Sequence, residues 1–309
     1  MESRAIGSLD VSLIGLGCNN FGMRIDQDAA TAVVNAALDA GITLFDTADI
    51  YGGTRSEEML GVALGARRDD VLIATKFGIP IKGEGGGAAP AYVKSACEAS
   101  LKRLGTDRID LYQIHFPDAA TPIEDTLGAF DDLVRDGKVR EIGCSNFDGT
   151  LLDAAAAAAD ARGTARFVSV QNQLNLLDWR GEADLLAAAD RHDLGILPYF
   201  PLASGLLTGK YKRDEAPPDG TRLGAMPEED RARALSDKAF DVVERLEAFA
   251  TEQGHTLLEL AMSWLAGLPH MASVISGATR PEQGAANVAA VNWDLTAADR
   301  AKIDDLTRR

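Results

Sequence analysis

Short apolar runs alternate with amphipathic segments along most of the chain. The runs are four to seven residues long, rich in β-branched side chains and often bounded by Gly, Asp or Pro, which is typical of buried strands. The predicted strands are Leu13–Gly17, Thr43–Asp46, Val71–Lys76, Ile109–His115, Glu141–Cys144, Phe167–Gln171, Gly195–Tyr199 and Ala272–Ser276.

The segments between these runs have helical periodicity. Apolar residues of Asp28–Asp39 fall on one face, and Gly41 follows as a stop signal. A second helix is predicted to begin at Thr54, because Thr54 and Glu57 have the spacing of a capping box.

Most strand–helix units recur at about 30 residues, a natural length for a βαβ unit. Such units build either an open doubly wound sheet or a closed barrel, and the count of eight favours closure. We therefore predict an α/β fold, a (β/α)₈ TIM barrel, as a single domain over residues 1–309. The short runs Arg4–Ile6 and Val11–Leu13 predict a β-hairpin before the barrel. The loops 82–90 and 203–235 are long enough to carry function.

Charge and composition narrow the function classes. The chain has 31 basic and 47 acidic residues, a net charge of −16, which argues against nucleic-acid or anionic-membrane partners. We see neither a signal peptide nor an apolar run of membrane-spanning length. Three cysteines and four scattered histidines predict free thiols in a cytoplasmic protein and no metal site.

Two phosphate-binding motifs are only superficially present. The segment GLGCNNFG, residues 15–22, has Asn20 where a dinucleotide-binding fingerprint needs its third glycine. The segment SGLLTGKY, residues 204–211, has Ser204 and Tyr211 where a P-loop needs Gly and Ser or Thr. No tyrosine is followed four residues later by lysine, which counts against short-chain dehydrogenases.

The informative polar residues follow three consecutive predicted strands. Asp46 ends the second strand and Tyr51 follows it, Lys76 ends the third, and His115 ends the fourth. The carboxyl ends of barrel strands share one face, so these four side chains are expected to converge. Each one alone would more often be a cap, a packing residue or a solvated strand end.

Together the four residues suit the reduction of a carbonyl. A developing alkoxide needs a proton, and the pKa of a tyrosine hydroxyl is about 10. A nearby ammonium lowers that pKa, so we expect Lys76, held by Asp46, to make Tyr51 a general acid. His115 would hydrogen-bond the carbonyl oxygen.

At these residues the sequence resembles the aldo-keto reductase family, through DTADIYG with SEEMLG and through further segments in order. The resemblance implies a (β/α)₈ barrel, Asp46, Tyr51, Lys76 and His115 as the catalytic tetrad, and NADPH/NADP⁺ bound without a Rossmann domain. GCSNF and VQNQLNLLD imply that Ser145, Asn146 and Gln171 hold the nicotinamide carboxamide.

The resemblance also implies the rest of the cofactor site. YFPLASGLLTGKY implies that Tyr199 stacks on the nicotinamide and that Leu202, Gly205 and Lys210 lie along the pyrophosphate. We hypothesise that Arg213 and Arg222 close over it. VISGATRPEQGAANVAA implies an adenosine 2′-phosphate site, which we assign to Gly277, Arg280, Gln283 and Asn287. Relatives often carry Arg at position 283 and an acidic residue at position 286, so NADP preference rests largely on Arg280.

Three functions remain open. The first is an NADP-dependent reductase of a small aldehyde or ketone; the second is a cofactor-binding regulatory protein on the same barrel, like a channel β subunit. A third is an isomerase or aldolase using Lys76 as a Schiff-base nucleophile, which Asp46 would oppose. Trp179 is a candidate for the substrate mouth, and the cysteines are interpreted as apolar filler. Composition predicts no oligomeric state.

Overall fold

A hairpin precedes eight parallel strands in the computed structural model, which describes residues 1–179 and 183–308. The strands are β1 Ser3–Ile6, β2 Leu9–Ser12, β3 Ile14–Gly17, β4 Leu44–Asp46, β5 Leu72–Phe77, β6 Ile109–Ile114, β7 Val139–Ser145, β8 Phe167–Gln171, β9 Gly195–Ile196 and β10 Val274–Gly277. The helices are α1 Gln27–Asp39, α2 Arg55–Leu64, α3 Pro90–Leu104, α4 Ile123–Arg135, α5 Gly149–Arg162, α6 Ala183–His192, α7 Glu228–Ala234, α8 Asp237–Glu252, α9 Leu257–Ala266, α10 Pro281–Ala289 and α11 Ala297–Leu306.

The eight strands after the hairpin form one parallel sheet in the order β10-β3-β4-β5-β6-β7-β8-β9. Hydrogen bonds from Ala272 N to Ile196 O and from Ile275 N to Pro198 O, both 3.0 Å, join its two outer strands. The predicted (β/α)₈ barrel with an N-terminal hairpin is confirmed. The predicted seventh strand reached Tyr199, but β9 stops at Ile196, because Pro198 has no N–H to donate to a ladder.

Helix α1 shows why the periodic segments lie against the outside of the sheet. Asp26 caps it, since its carboxylate accepts a 3.0 Å hydrogen bond from Ala29 N. Four apolar side chains at helical spacing are buried, namely Ala30, Val33, Val34 and Ala37. The helix begins one residue before the predicted start and ends at the predicted Asp39.

The capping box predicted at Thr54 is wrong. Thr54 has a left-handed backbone, with φ 77°, and its side chain caps no helix amide. Glu57 is fully buried instead, where it accepts hydrogen bonds from Thr75 Oγ1 and Arg103 Nε, both 2.6 Å. The spacing was right for a cap, but the partly buried Arg103 of the neighbouring helix α3 binds the carboxylate instead.

The barrel interior is divided into an apolar lower part and a polar upper part. Ile6, Leu9 and Val11 of the hairpin pack against inward-facing residues of the barrel strands, including Leu44 and Leu111. The hairpin therefore fills the amino-terminal end of the barrel, and the polar side chains lie towards the carboxyl ends of the strands. No helix of the described residues is long and apolar enough to cross a membrane.

Candidate active site

Four polar side chains meet at the carboxyl ends of β4, β5 and β6, where the sequence predicted them. Asp46 is the last residue of β4, Lys76 is the next-to-last residue of β5, and His115 directly follows β6. Tyr51 lies in the loop after β4. Its ring meets the His115 ring edge-on, with centroids 5.7 Å apart.

Lys76 and Asp46 form a buried ion pair behind Tyr51. Lys76 Nζ donates to both carboxylate oxygens of Asp46, at 2.8 and 2.7 Å, and to Thr47 O at 2.9 Å. Burial alone would lower the pKa of Lys76, but Asp46 and Tyr51 outweigh it and the net direction is upward. Lys76 therefore stays protonated, which opposes its use as a Schiff-base nucleophile.

The expected net lowering of the Tyr51 pKa is wrong. Burial raises the pKa of Tyr51 above its usual value, and the Asp46 carboxylate acts in the same direction. The Lys76 ammonium, 5.2 Å from the ring centroid, does act to lower this pKa, but burial is the larger effect. Tyr51 is thus protonated at neutral pH, with a cation at hand to stabilise its phenolate.

His115 is a neutral imidazole at neutral pH. Burial, followed by the charge of Lys76, lowers its pKa from 6.5 to about 3. One face of its ring is covered by Phe116, whose ring stacks at 5.4 Å with an interplanar angle of 15°. A neutral imidazole donates one hydrogen bond rather than supplying a positive charge.

These residues line one end of a cavity of about 650 Å³. Asp46, Tyr51 and His115 contribute to its wall, whereas Lys76 lies behind them and reaches it only through Tyr51 and Asp46. All eleven predicted cofactor residues line the same cavity, namely Ser145, Asn146, Gln171, Tyr199, Leu202, Gly205, Lys210, Gly277, Arg280, Gln283 and Asn287.

Hydrogen bonds connect the predicted carboxamide partners to the tetrad. Gln171 Nε2 donates to Asp46 Oδ1 at 2.8 Å, and Ser145 Oγ donates to Gln171 O at 2.7 Å. Asn146, with φ 62°, donates from Nδ2 to His115 O at 2.9 Å and accepts from Tyr199 OH at 2.8 Å. The amide and hydroxyl groups are therefore held in fixed orientations beside the reactive end of the cavity.

Two cations line the middle of the cavity. A Cβ on Gly205, whose φ is 93°, would lie 2.6 Å from Lys210 Nζ, so glycine is what allows this ammonium to approach the backbone. The guanidinium of Arg222 lies 4.5 Å from the Phe200 ring centroid. Burial, then Arg24, lowers the pKa of Arg222. Within the described part of the chain, no carboxylate forms an ion pair with Lys210 or Arg222.

Arg213 lies outside this cavity, contrary to the hypothesis that it closes over the pyrophosphate. Its guanidinium bonds Asp241 at 2.7 Å and Glu244 at 2.9 and 3.0 Å, carboxylates of the exposed face of α8. Trp179 does not line the cavity either, because its ring packs edge-on against Trp264 at 5.6 Å.

The far end of the cavity is formed by β10 and the start of α10. Gln283 Oε1 accepts from Thr279 N at 2.7 Å and from Arg280 N at 3.1 Å. Asn287 Nδ2 donates to Ser276 Oγ at 2.8 Å. Arg280 is exposed and bonds Glu282 at 2.7 Å, so it can turn towards an anionic ligand only by leaving that carboxylate.

The residues present fit a dinucleotide. A Cβ on Gly277 would lie 3.2 Å from Asn19 Oδ1 and 3.3 Å from Asn20 Nδ2, so the backbone there is kept open. Asn20 Oδ1 is buried with no hydrogen-bond partner among the described residues. Amides at one end, two cations in the middle and a helix N-terminus at the other end match a nicotinamide, a pyrophosphate and an adenosine phosphate.

Sequence reasoning missed several residues of the cavity. Asn19 and Asn20 belong to the glycine-rich segment 15–22, to which we assigned no cofactor contact because it lacks the dinucleotide-binding fingerprint, and their side-chain amides could have indicated a polar site. Phe116 follows His115 directly and is half exposed at the cavity. No sequence motif indicated that Phe200 would line the cavity, because its position depends on a left-handed backbone with φ 54°.

The cysteines and the remaining histidines do not line the cavity, although Cys18 N donates a 2.8 Å hydrogen bond to Asp46 O. Cys18, Cys97 and Cys144 are buried free thiols, and burial raises the pKa of each. His192 and His270 bond surface aspartates at 2.7 and 2.8 Å. The described residues contain no group of three or more His, Cys, Asp or Glu side chains arranged to hold a metal ion.

Comparison with known proteins identifies the class. The model of the aldo/keto reductase family matches residues 13–308, and the chain belongs to this family. An aldo-keto reductase of Bacillus subtilis is 33% identical, with 96% of this chain and 90% of the relative covered. A probable voltage-gated potassium channel subunit beta of Arabidopsis thaliana is 35% identical, with 94% and 92% covered.

A solved structure agrees with the sequence relatives. The glycerol dehydrogenase of Gluconobacter oxydans superposes with a TM-score of 0.83 at 31% identity, covering 98% of this chain and 94% of that chain. The family and this neighbour support an oxidoreductase enzyme.

Proposed function

We propose that this protein is a single-domain, NADP-dependent aldo-keto reductase that reduces an aldehyde or ketone to an alcohol. The observation that carries the proposal is the protonated Tyr51 at the cavity wall, backed by the buried Lys76–Asp46 ion pair. When bound, a reduced nicotinamide supplies the hydride for such a reaction.

The protein's own residues account for the proton. Tyr51 holds the proton that the developing alkoxide requires, and Lys76 stabilises the phenolate that remains. Asp46 keeps Lys76 charged and oriented through two hydrogen bonds. His115, neutral and beside the Tyr51 ring, donates a hydrogen bond to the carbonyl oxygen.

We propose that the remaining residues hold the cofactor. Ser145, Asn146 and Gln171 would bind the carboxamide, and Tyr199 would stack on the nicotinamide ring. Leu202, Gly205, Lys210 and Arg222 would lie along the pyrophosphate, and Gly277, Arg280, Gln283 and Asn287 would hold the adenosine end. Arg280 beside the N-terminus of α10 favours NADP over NAD.

The test is an NADPH-consumption screen with aromatic aldehydes, sugars, pyridoxal and methylglyoxal. We expect turnover of at least one carbonyl and its loss, by a factor of about 10² or more, in Tyr51→Phe. Tyr92→Phe is the matched control, since it removes a tyrosine hydroxyl on α3 outside the cavity. Failure to turn over any carbonyl, or equal activity of Tyr51→Phe, would sink the proposal.

A second candidate is a regulatory subunit that binds the cofactor and reports its redox state to a partner. The similarity to a probable channel subunit beta favours it, and the tetrad is compatible with both functions. Turnover separates them, because a regulatory subunit needs to bind NADPH but not to release an alcohol product at a useful rate. We rank the enzyme first, as the fold neighbour is a dehydrogenase.

A further inference from the structure

His115 has one ring nitrogen that the described residues leave without a partner. Nδ1 is buried and no described group lies within hydrogen-bond distance of it. A neutral imidazole carries its proton on one nitrogen only, so donation from Nε2 to a carbonyl requires Nδ1 to be an acceptor. The group that faces Nδ1 sets this choice, and a buried acceptor without a donor is unfavourable.

Gln113 lies directly below His115 in the barrel. Gln113 lies on β6 and His115 directly follows that strand, two positions later, so their side chains extend to the same face of the sheet. Gln113 pairs in register with Lys76 of β5 and Gly143 of β7, and it is fully buried. Its amide oxygen and its amide nitrogen both lack a partner among the described residues.

The missing side chain of Gly143 lets the hydroxyl of Ser169, on β8, approach the strand that lies beside this amide. A Cβ at Gly143 would lie 3.3 Å from Gln113 Cγ and would collide with Ser169 Oγ. Ser169 is fully buried, and its hydroxyl is also without a partner in the described part of the chain. Gln113 on β6 and Ser169 on β8 thus carry buried, unpartnered polar groups on the two sides of Gly143, and buried polar groups of this kind are the usual partners of internal water.

We propose that Gln113 and Ser169 form a binding site for one water molecule that donates a hydrogen bond to His115 Nδ1 and so keeps the ring proton on Nε2. Gln113 is then a positioning residue, acting through the water on the His115 tautomer. The inference rests on the proposed reductase function, because it assigns the Nε2 proton to the substrate oxygen. The low pKa of His115 supports it, since only the neutral ring has a tautomer to select.

The experiment reads the tautomer directly, in the protein without substrate. The chain has four histidines, so ¹⁵N-labelled histidine gives few ring signals, and His115→Gln identifies those of His115. We expect wild-type Nε2 to be protonated and Nδ1 to be a hydrogen-bonded acceptor. Gln113→Met, which keeps side-chain length without hydrogen bonding, is expected to move the ring towards the Nδ1-protonated form and to lower kcat/KM about tenfold.

Controls separate this role from a structural one. Ser273→Ala removes another buried, unpartnered hydroxyl of the barrel and is expected to leave the His115 signals unchanged. Ser169→Ala shifts the tautomer in the same direction as Gln113→Met, and it serves if Gln113→Met fails to fold. The affinity for NADPH stays the same in these variants.

Two results would overturn the inference: a wild-type ring protonated at Nδ1, or ring signals that are identical in wild type and folded Gln113→Met or Ser169→Ala. The proposed function fails separately. A wild-type ring with the expected tautomer but no carbonyl turnover leaves the water site standing and removes the reductase.

Discussion

Asp49, two residues before Tyr51, should make the protein less stable as the pH rises towards neutrality. It is 1% exposed, and neither of its carboxyl oxygens has a hydrogen-bond partner among the described residues. Burial, then the Glu57 carboxylate, raises its pKa from 3.8 to about 7, although Arg103 acts in the opposite direction. Glu84, which pairs with Arg103, adds to the rise.

The sign follows from proton uptake. Between pH 4 and pH 7 the folded protein binds a proton at Asp49 that the unfolded chain has released, so stability falls as the pH increases through this range. The rise of the pKa from 3.8 to about 7 corresponds, at about 1.4 kcal/mol per unit, to about 4 kcal/mol. The full penalty is reached above pH 7, where the native carboxyl is also charged.

Asp49→Asn keeps the shape of the side chain and removes its charge. We expect its free energy of unfolding to exceed that of wild type by up to about 4 kcal/mol at pH 8 and by less than about 2 kcal/mol at pH 5. Urea denaturation at pH 5, 6, 7 and 8 measures the difference. Asp132→Asn is the control: its exposed carboxylate accepts from Lys94 Nζ, which lowers its pKa, so any effect has the opposite pH dependence. Parallel curves for wild type and Asp49→Asn would refute the reasoning.

Two further predictions concern the site. Asp46→Asn leaves the Lys76 ammonium buried without its counter-charge, and we expect kcat to fall about 10²–10³-fold across the pH profile; an unchanged kcat would mean that Lys76 does not need Asp46. Glu282→Gln releases Arg280 from its exposed ion pair, so NADPH should bind a few-fold more tightly while NADH affinity stays constant. Fluorescence titration with both cofactors measures this, and an equal gain for NADH would exclude a role for the 2′-phosphate.

The sequence predicted the parts of this molecule that depend on local pattern. Eight apolar runs and their carboxyl ends identified the strands, and strand ends alone placed Asp46, Lys76 and His115 on one face. Where prediction failed, a distant part of the chain decided the outcome. Glu57 had the spacing of a cap, but Arg103, 46 positions away, lies close enough to hold it in the interior.

The net direction of a pKa shift was the property that the sequence predicted least well. The sequence showed that a lysine would lie near Tyr51, but the net direction of the Tyr51 pKa depends on how completely the barrel buries the hydroxyl. That the Gln113 amide lacks a hydrogen-bond partner could not be predicted from the sequence either, because it depends on which strands face this side chain across the barrel interior. Side-chain burial and the choice of hydrogen-bond partners arise only when the strands assemble into the barrel, so the local sequence pattern does not predict them.

The hairpin at the foot of the barrel constrains the order of events during turnover. Because Ile6, Leu9 and Val11 plug the amino-terminal end, molecules enter and leave at the opposite mouth. Ser145 and Gln171, the proposed nicotinamide partners, are 1% exposed and lie deep, whereas Phe116 is 50% exposed. Because the barrel is closed at its amino-terminal end, the proposed cofactor, whose nicotinamide lies deeper, must bind before the substrate and leave after the product. If the protein is the reductase proposed above, it is expected to follow a compulsory-order kinetic scheme, with release of the oxidised dinucleotide as its closing step.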